Sequence, residues 1–332
     1  MKKQARLFYT TALSALALLM LVDAVQGQEK VRISYSSSDT TNAVYFIAQE
    51  RGFYKKYGVE TELVFIQSTP ISVTSIIAGD VKVGNAAGSA VASAVIGGVG
   101  LVTVACYINT LPYELVVQES VKSAEDLRGK SIGISRIGSA SDTAAHVLIR
   151  GLGLTPVKDV PIIQVGGPGE RAAAFRGGRI VGFPSPPGII QLAQGMPHKV
   201  LISTADLPKR FDFPYICANT TRTFLSTQRE TVRRIVMALI EATHFFKTRK
   251  EETKKIVAKY SRQNNEGFLE DSWQAMAKLY ERVPLVTRPG MEQQIQEAMR
   301  KPGTAPKFED IVDESIVREL DKSGFISKLY NP

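Results

Sequence analysis

The 332-residue chain is poor in several kinds of chemistry: it has two cysteines, one tryptophan and three histidines. None of the histidines (His146, His198, His244) stands in an H-E-x-x-H pattern, and no G-x-S-x-G turn is present, so zinc-protease and hydrolase-elbow chemistry have no footing. Neither cysteine has a second Cys or His at ligand spacing, which argues against a metal centre. Cys106 and Cys217 each sit in an apolar, strand-like run (LVTVACYI, PYICAN); buried free thiols are the favoured expectation, and a disulfide is the alternative an oxidising compartment permits. There is no low-complexity tract, no short-period repeat and no arginine cluster interleaved with aromatics, so nucleic acid is not an expected partner.

What is present begins with a secretory signature. A basic start (Lys2, Lys3, Arg6) leads into an apolar run from Ala12 to Val22, and small residues precede a plausible cut after Gly27. That run is short of the ~20 residues that span a bilayer. Residues 1–27 are therefore read as a signal peptide, and the absence of cysteine after the cut argues against a lipid anchor. Removing Lys2, Lys3, Arg6 and Asp23 lowers the formal charge from +9 to +7, a modest excess that reads as a solvated basic surface. An exported protein is the resulting expectation.

Beyond the cut, strand-like and helix-like stretches alternate: VRISYS, AVYFIAQERGFYKKYG, VETELVFI, ISVTSIIAG, VKVGNA, SAVASAVIGG, LVTVACYI. The alternation restarts after PYELVVQ with SIGIS, SASDTAAH, VPIIQV, ERAAAFRGG, RIVGFP, PGIIQLAQG and HKVLIST. GDVKVG (79–84) and GGRIVG (177–182) echo one another at matching places in the two series. The predicted fold is α/β, with two Rossmann-like lobes of mostly parallel sheet joined by a two-strand hinge (PYELVVQ, FPYICAN). Residues 28–118 plus 213–332 form lobe one and 119–212 lobe two, with the C-terminal helices packed on lobe one. In that tail Thr227 and Glu230 read as a capping box, Val232, Ile235, Val236, Leu239 and Phe246 form one apolar stripe, and later helices are expected at 267–282, 291–300 and 311–323.

In open α/β sheets ligands sit beyond the carboxyl ends of the strands, where helices begin, so the helix starts of both lobes nominate a cleft. On lobe one these are Ser38, Thr41 and Asn42; Gln67, Ser68 and Thr69; and Gly88 with Ser89. On lobe two, ISRIGSASDTAAH offers Arg136, Gly138, Ser139, Ala140 and Ser141, and the echoing loop offers Ser185 and Pro186. Tyr107 and Tyr215, near the hinge, are candidate aromatic walls. Each serine start is equally a plain helix cap, Asp142 suits the helix dipole, and Arg136 suits an anionic group or solvent.

Four stretches in consistent order, YFIAQERGFYKKYGVETEL (45–63), IIAGDVKVGNAAGSAVASA (76–94), SAEDLRGKSIGIS (123–135) and AAAFRGGRIVGFPSPPG (172–188), resemble the type II periplasmic solute-binding proteins of ABC importers. The similar branch includes alkanesulfonate-, taurine-, nitrate- and thiamine-pyrimidine-precursor-binding members, which commonly carry an acidic residue where this chain has Arg179-Ile-Val-Gly182. The resemblance implies a periplasmic, monomeric, non-enzymatic, cofactor-free and metal-free protein that captures a small polar or anionic organic solute (sulfonate, nitrate, pyrimidine or aromatic carboxylate) and delivers it to an ABC permease. A pyrimidine-synthase-type enzyme on the same fold and a ligand-sensing periplasmic subunit are the alternatives it carries.

Overall fold

The computed structural model describes residues 30–189, 196–299 and 305–331; the signal-like segment lies outside the described residues, as does most of the helix expected at 187–195. The first sheet contains β1 (Val31–Tyr35), β2 (Thr61–Phe65), β3 (Val83–Asn85), β4 (Leu101–Thr110) and β10 (Asp212–Thr221), in the order β2-β1-β3-β10-β4. The second contains β5 (Glu114–Gln118), β6 (Ile132–Ile134), β7 (Ile162–Gln164), β8 (Gly182–Ser185) and β9 (His198–Ser203), in the order β7-β6-β8-β5-β9. In each sheet one strand, β10 or β5, runs antiparallel to both neighbours, and the other two pairings are parallel, as strand–helix–strand crossovers require. The two-lobed α/β expectation is met.

The sheets share one topology, which explains the echo in the sequence. GDVKVG and GGRIVG lead into β3 and β8, the third strand of each series, and end on Gly84 and Gly182. A Cβ at Gly84 would stand 2.2 Å from Ser34 Oγ, and one at Gly182 would stand 2.5 Å from the Val116 carbonyl oxygen. Both positions are close approaches of neighbouring strands that only glycine allows.

The chain crosses between the sheets at 111–113 and again at 207–211. Glu114–Gln118, expected to end lobe one, instead pairs with β8 and β9 inside the second sheet. The two crossings are tied together: Thr204 Oγ1 donates to the Leu111 carbonyl at 2.6 Å, and Thr110 Oγ1 donates to that of Phe211 at 3.0 Å.

In the first lobe, α1 (Ala43–Glu50) and α2 (Phe53–Lys56) join β1 to β2, α3 (Thr69–Ile77) precedes β3, and α4 (Gly88–Ile96) precedes β4. The second lobe has α5 (Ala140–Gly151) and α6 (Pro168–Arg176). After β10 come α7 (Arg222–Thr227), α8 (Arg229–Thr248), α9 (Lys250–Ser261), α10 (Glu266–Leu279), α11 (Arg288–Ala298), α12 (Phe308–Ile311), α13 (Ser315–Lys322) and α14 (Phe325–Tyr330). All five residues of the predicted α8 stripe are fully buried, in a core shared with α1 and β4. The capping box does not form: Thr227 closes α7, its hydroxyl donating to the Thr223 carbonyl, and α8 starts from Gln228 without a side-chain cap. The helix expected at 311–323 is broken, because Val312 leaves α12 extended and bridges to Thr103. That bridge, with the amides of Cys106 and Glu281 bonded to Pro284 and Tyr107 carbonyls, helps cover the edge of β4.

Register also overturns the free-thiol expectation. Cys106 on β4 and Cys217 on β10 are direct partners in the antiparallel pair, and they form a disulfide. Being buried in separate apolar runs did not keep them apart, since those runs are neighbouring strands.

Candidate functional site

The two lobes meet along the carboxyl ends of β1, β6 and β8 and the starts of the helices that follow. Between them lies a small cavity of about 50 Å³. From lobe one it is lined by Ser36, Ser37, Asp39, Asn42, Gln67, Ser68, Thr69 and Tyr215, and from the first crossing by Tyr113. From lobe two come Ser135, Ser139, Ala140, Ser141, Gly167, Pro168, Arg171 and Pro186.

Three features set this space apart from a well-packed interface. The first is at the start of α3. Ser68 adopts φ 89°, an uncommon conformation for a residue with a side chain, and gives its helix no side-chain cap. The Ser68 and Thr69 hydroxyls, on residues only 7% and 5% exposed, have no hydrogen-bond partner among the described residues. A buried hydroxyl without a partner costs about 1–3 kcal/mol, and these two flank the unsatisfied N–H groups of a helix N-terminus.

The second feature is Arg171, on the first turns of α6 and 3% exposed. Its Nε donates to the Gly167 carbonyl at 3.4 Å and its Nη1 to the Pro184 carbonyl, while the guanidinium carbon lies 5.8 Å from the centroid of the Phe183 ring. Among the described residues no carboxylate forms an ion pair with it. Burial holds its pKa below the ordinary arginine value, against the opposing pull of Tyr113, Tyr215, Asp39 and Glu170. It remains a cation, with N–H donors left over for an incoming acceptor.

The third is the serine cluster at the start of α5. Ser135 Oγ is 2.8 Å from Ser139 Oγ and 2.9 Å from Ser141 Oγ, which in turn accepts the Ser135 N–H at 2.9 Å. Ser139 is also the N-cap, accepting from the Asp142 amide, and Asp142 reaches back to accept the Gly138 N–H at 2.8 Å. The helix is capped by the same side chains that face the cavity, so the two readings of this stretch coincide. Tyr113 and Tyr215 complete the wall with hydroxyls 3.1 Å apart and rings in an edge-to-face arrangement. Burial pushes both phenols up, so both stay neutral.

Of the residues nominated from sequence, Asn42, Gln67, Ser68, Thr69, Ser139, Ala140, Ser141, Pro186 and Tyr215 line the cavity. The others stand elsewhere. Ser38 is half-buried outside the lining, Thr41 spends its hydroxyl on Asp39, and Gly88 packs on Pro214. Ser89 and Gly138 form a contact between lobes, hydroxyl to carbonyl at 3.4 Å. Tyr107 is buried in the core, Arg136 is exposed at the rim, and the Ser185 hydroxyl turns to the Pro186 carbonyl. The residues not foreseen are Ser36, Ser37, Asp39, Tyr113, Ser135, Gly167, Pro168 and Arg171. A signal for Arg171 existed: VGGPGER is a strand, a glycine pair and a helix start, the pattern already used for SIGIS. A larger open groove of about 280 Å³, bordered by Lys30, Arg32, Lys82 and Arg234, lies away from the lobe boundary and lacks an unpartnered buried hydroxyl.

Residues 25–261 match the NMT1-like family. The chain belongs to that family. A protein of Brucella abortus (strain 2308), whose name commits only to binding, is 24% identical over 296 residues, 87% of this chain and 88% of its own. Among solved structures, the periplasmic nitrate-binding protein NrtA from Synechocystis PCC 6803 superposes with a TM-score of 0.74 at 14% identity, over 90% of this chain and 89% of its own. The periplasmic aliphatic sulphonate binding protein SsuA from Escherichia coli gives 0.63 at 18% identity, over 82% and 91%. This NMT1-like chain thus has the two-lobed α/β fold seen in those periplasmic binding proteins. Fold alone does not transfer a ligand.

Proposed function

We propose that the protein is the solute-binding component of an ABC importer, capturing between its lobes one small polar or anionic organic solute that carries an acidic group, and presenting the closed form to a membrane permease. The observation that carries this reading is Arg171: a buried guanidinium with no carboxylate paired to it among the described residues, facing the same cavity as two hydroxyls at a helix N-terminus that those residues leave unpartnered. A carboxylate, sulfonate or similar anion would satisfy all three. Lobe one supplies Ser68 and Thr69 and lobe two supplies Arg171, so the full set of contacts exists only when the lobes meet. The solute thereby favours closure by the extra affinity it gains there. The signal-like first 27 residues and the periplasmic homes of NrtA and SsuA support a periplasmic location.

The reading is of a binder and not an enzyme. His146, His198 and His244 lie outside the cavity lining, and both cysteines are locked in the disulfide, so among the described residues the lining offers neither an imidazole base nor a thiol nucleophile. Native mass spectrometry of the mature protein, followed by recovery of the retained solute after denaturation, tests the reading. An intact acidic solute, and a radius of gyration that shrinks when it is added back to stripped protein, support it; a chemically altered product, or no compaction, refutes it.

A further inference from the structure

Arg171 is not the cavity's only buried charge. Asp39, 5% exposed, lines the same space from the opposite lobe, and among the described residues it too forms no ion pair. Its Oδ1 is saturated by the Thr41 amide at 2.8 Å and the Thr41 hydroxyl at 2.5 Å, whereas Oδ2 accepts only from the Ser37 hydroxyl. A carboxylate oxygen has capacity for two donors, so Oδ2 keeps one place open. The two lobes thus each bring one buried charge of opposite sign to a shared small cavity, close enough to act on one another electrostatically yet without contact.

Resting on the function proposed above, we infer that the solute is dipolar: an acidic head held by Arg171, Ser68 and Thr69, and a basic nitrogen whose N–H reaches Asp39. A plain anion would answer Arg171 but bring its charge toward the Asp39 carboxylate, in a low-dielectric space where like charges repel strongly. A solute with both signs neutralises both groups. Because Asp39 belongs to lobe one and Arg171 to lobe two, neither lobe alone can complete the pairing, so charge complementarity itself couples binding to closure. Asp39 also caps the turn at Thr40–Asn42 through Oδ1, which leaves Oδ2 as the atom the nitrogen meets.

Isothermal titration of the mature protein with the matched probes β-alanine and propionate, and 3-aminopropanesulfonate and propanesulfonate, tests the inference. The amino member of at least one pair is expected to bind tenfold or more tightly than its partner, and Asp39→Asn, which keeps an acceptor for the cap, should erase that preference. Equal or tighter binding of the nitrogen-free partners, or a preference that survives Asp39→Asn, overturns it. The retained solute gives a readout that needs no variant: one acidic group with a basic nitrogen supports the inference, and a solute without such a nitrogen overturns it. Such a solute, if it still compacts the protein, leaves the solute-binding reading standing; absence of compaction with every probe and with the retained solute removes both.

Discussion

A side chain at position 167 would penalise closing of the lobes. Gln67 of lobe one lies over Gly167, donating from Nε2 to Glu170 Oε2 at 3.1 Å across the cleft mouth. A Cβ on residue 167 would stand 2.1 Å from that Nε2, 3.1 Å from Gln67 Cδ and 3.1 Å from Glu170 Oε2. The backbone itself raises no objection, since φ −69° and ψ −173° suit alanine. Gly167→Ala should therefore separate two quantities that usually move together. With the lobes apart the change is permitted and stabilises the fold by about 0.4–1 kcal/mol through the unfolded chain. With the lobes together, Gln67 must withdraw, losing a hydrogen bond worth about 0.5–1.5 kcal/mol and disturbing the packing around it. A closing penalty of about 1–2 kcal/mol corresponds to about 5–30-fold weaker binding. Titration calorimetry with the retained solute, beside thermal melts of the stripped protein, reads both. Lower affinity with an equal or higher melting temperature is the expected pattern, and adding Gln67→Ala should return the affinity to that of Gln67→Ala alone. Unchanged affinity in Gly167→Ala, or a double variant weaker than Gln67→Ala alone, would refute the reasoning.

Other outcomes follow from the same coordinates. Ser139→Ala combined with Ser141→Ala removes the α5 cap and two hydroxyls from the cavity wall, so stability should fall by about 1 kcal/mol and solute affinity should drop as well; a melt shift with no change in calorimetric affinity would confine those serines to capping. Replacing Cys106 and Cys217 together by alanine opens a cross-link between residues 111 apart in sequence, and urea titration should show a loss of about 2–4 kcal/mol. A stability difference under about 1 kcal/mol would contradict that. Burial raises the pKa of Asp142, although the Gly138 amide and His146 pull it down. The folded state then holds the proton more tightly than the unfolded chain, so this group's contribution falls as pH climbs from the ordinary aspartate value through the raised one. The stability of wild type minus that of Asp142→Asn should decline across that window in pH-dependent melts, and a difference that rises there would reverse the assignment.

The order of elements was legible in the sequence because the alternation of apolar strands with amphipathic helices survives without tertiary help. The two-lobe split was legible from the restart after PYELVVQ and from the glycine-terminated echo, both of which reflect strand contacts that tolerate only glycine at 84 and 182. The residue at which the chain changes sheets was not, since Glu114–Gln118 reads equally well as a strand of either one. Disulfide pairing was hidden for a related reason: it depends on the register of β4 against β10, a relation between segments 111 residues apart. At the site, counting hydroxyl-rich helix starts found Ser68, Thr69, Ser139 and Ser141, while Arg136 drew attention by standing beside one of them. Arg171 passed unnoticed because an arginine inside an alanine-rich helix normally faces solvent, and only the packing of α6 against Phe183 and the Pro184 carbonyl turns it inward. Asp39 was not nominated, since an aspartate just before a helix is ordinarily a cap, which it also is.

The central claim is that a solute anion is gripped by the buried Arg171 guanidinium between the lobes. The most direct test is calorimetric titration of Arg171→Met with the solute recovered from the native protein, alongside a thermal melt. A charge-assisted, desolvated contact is worth about 1.5–3 kcal/mol, so affinity should fall by about 10–150-fold while the melting temperature holds or rises, an unpaired buried charge having been removed. Affinity within twofold of wild type in a well-folded variant would contradict the account.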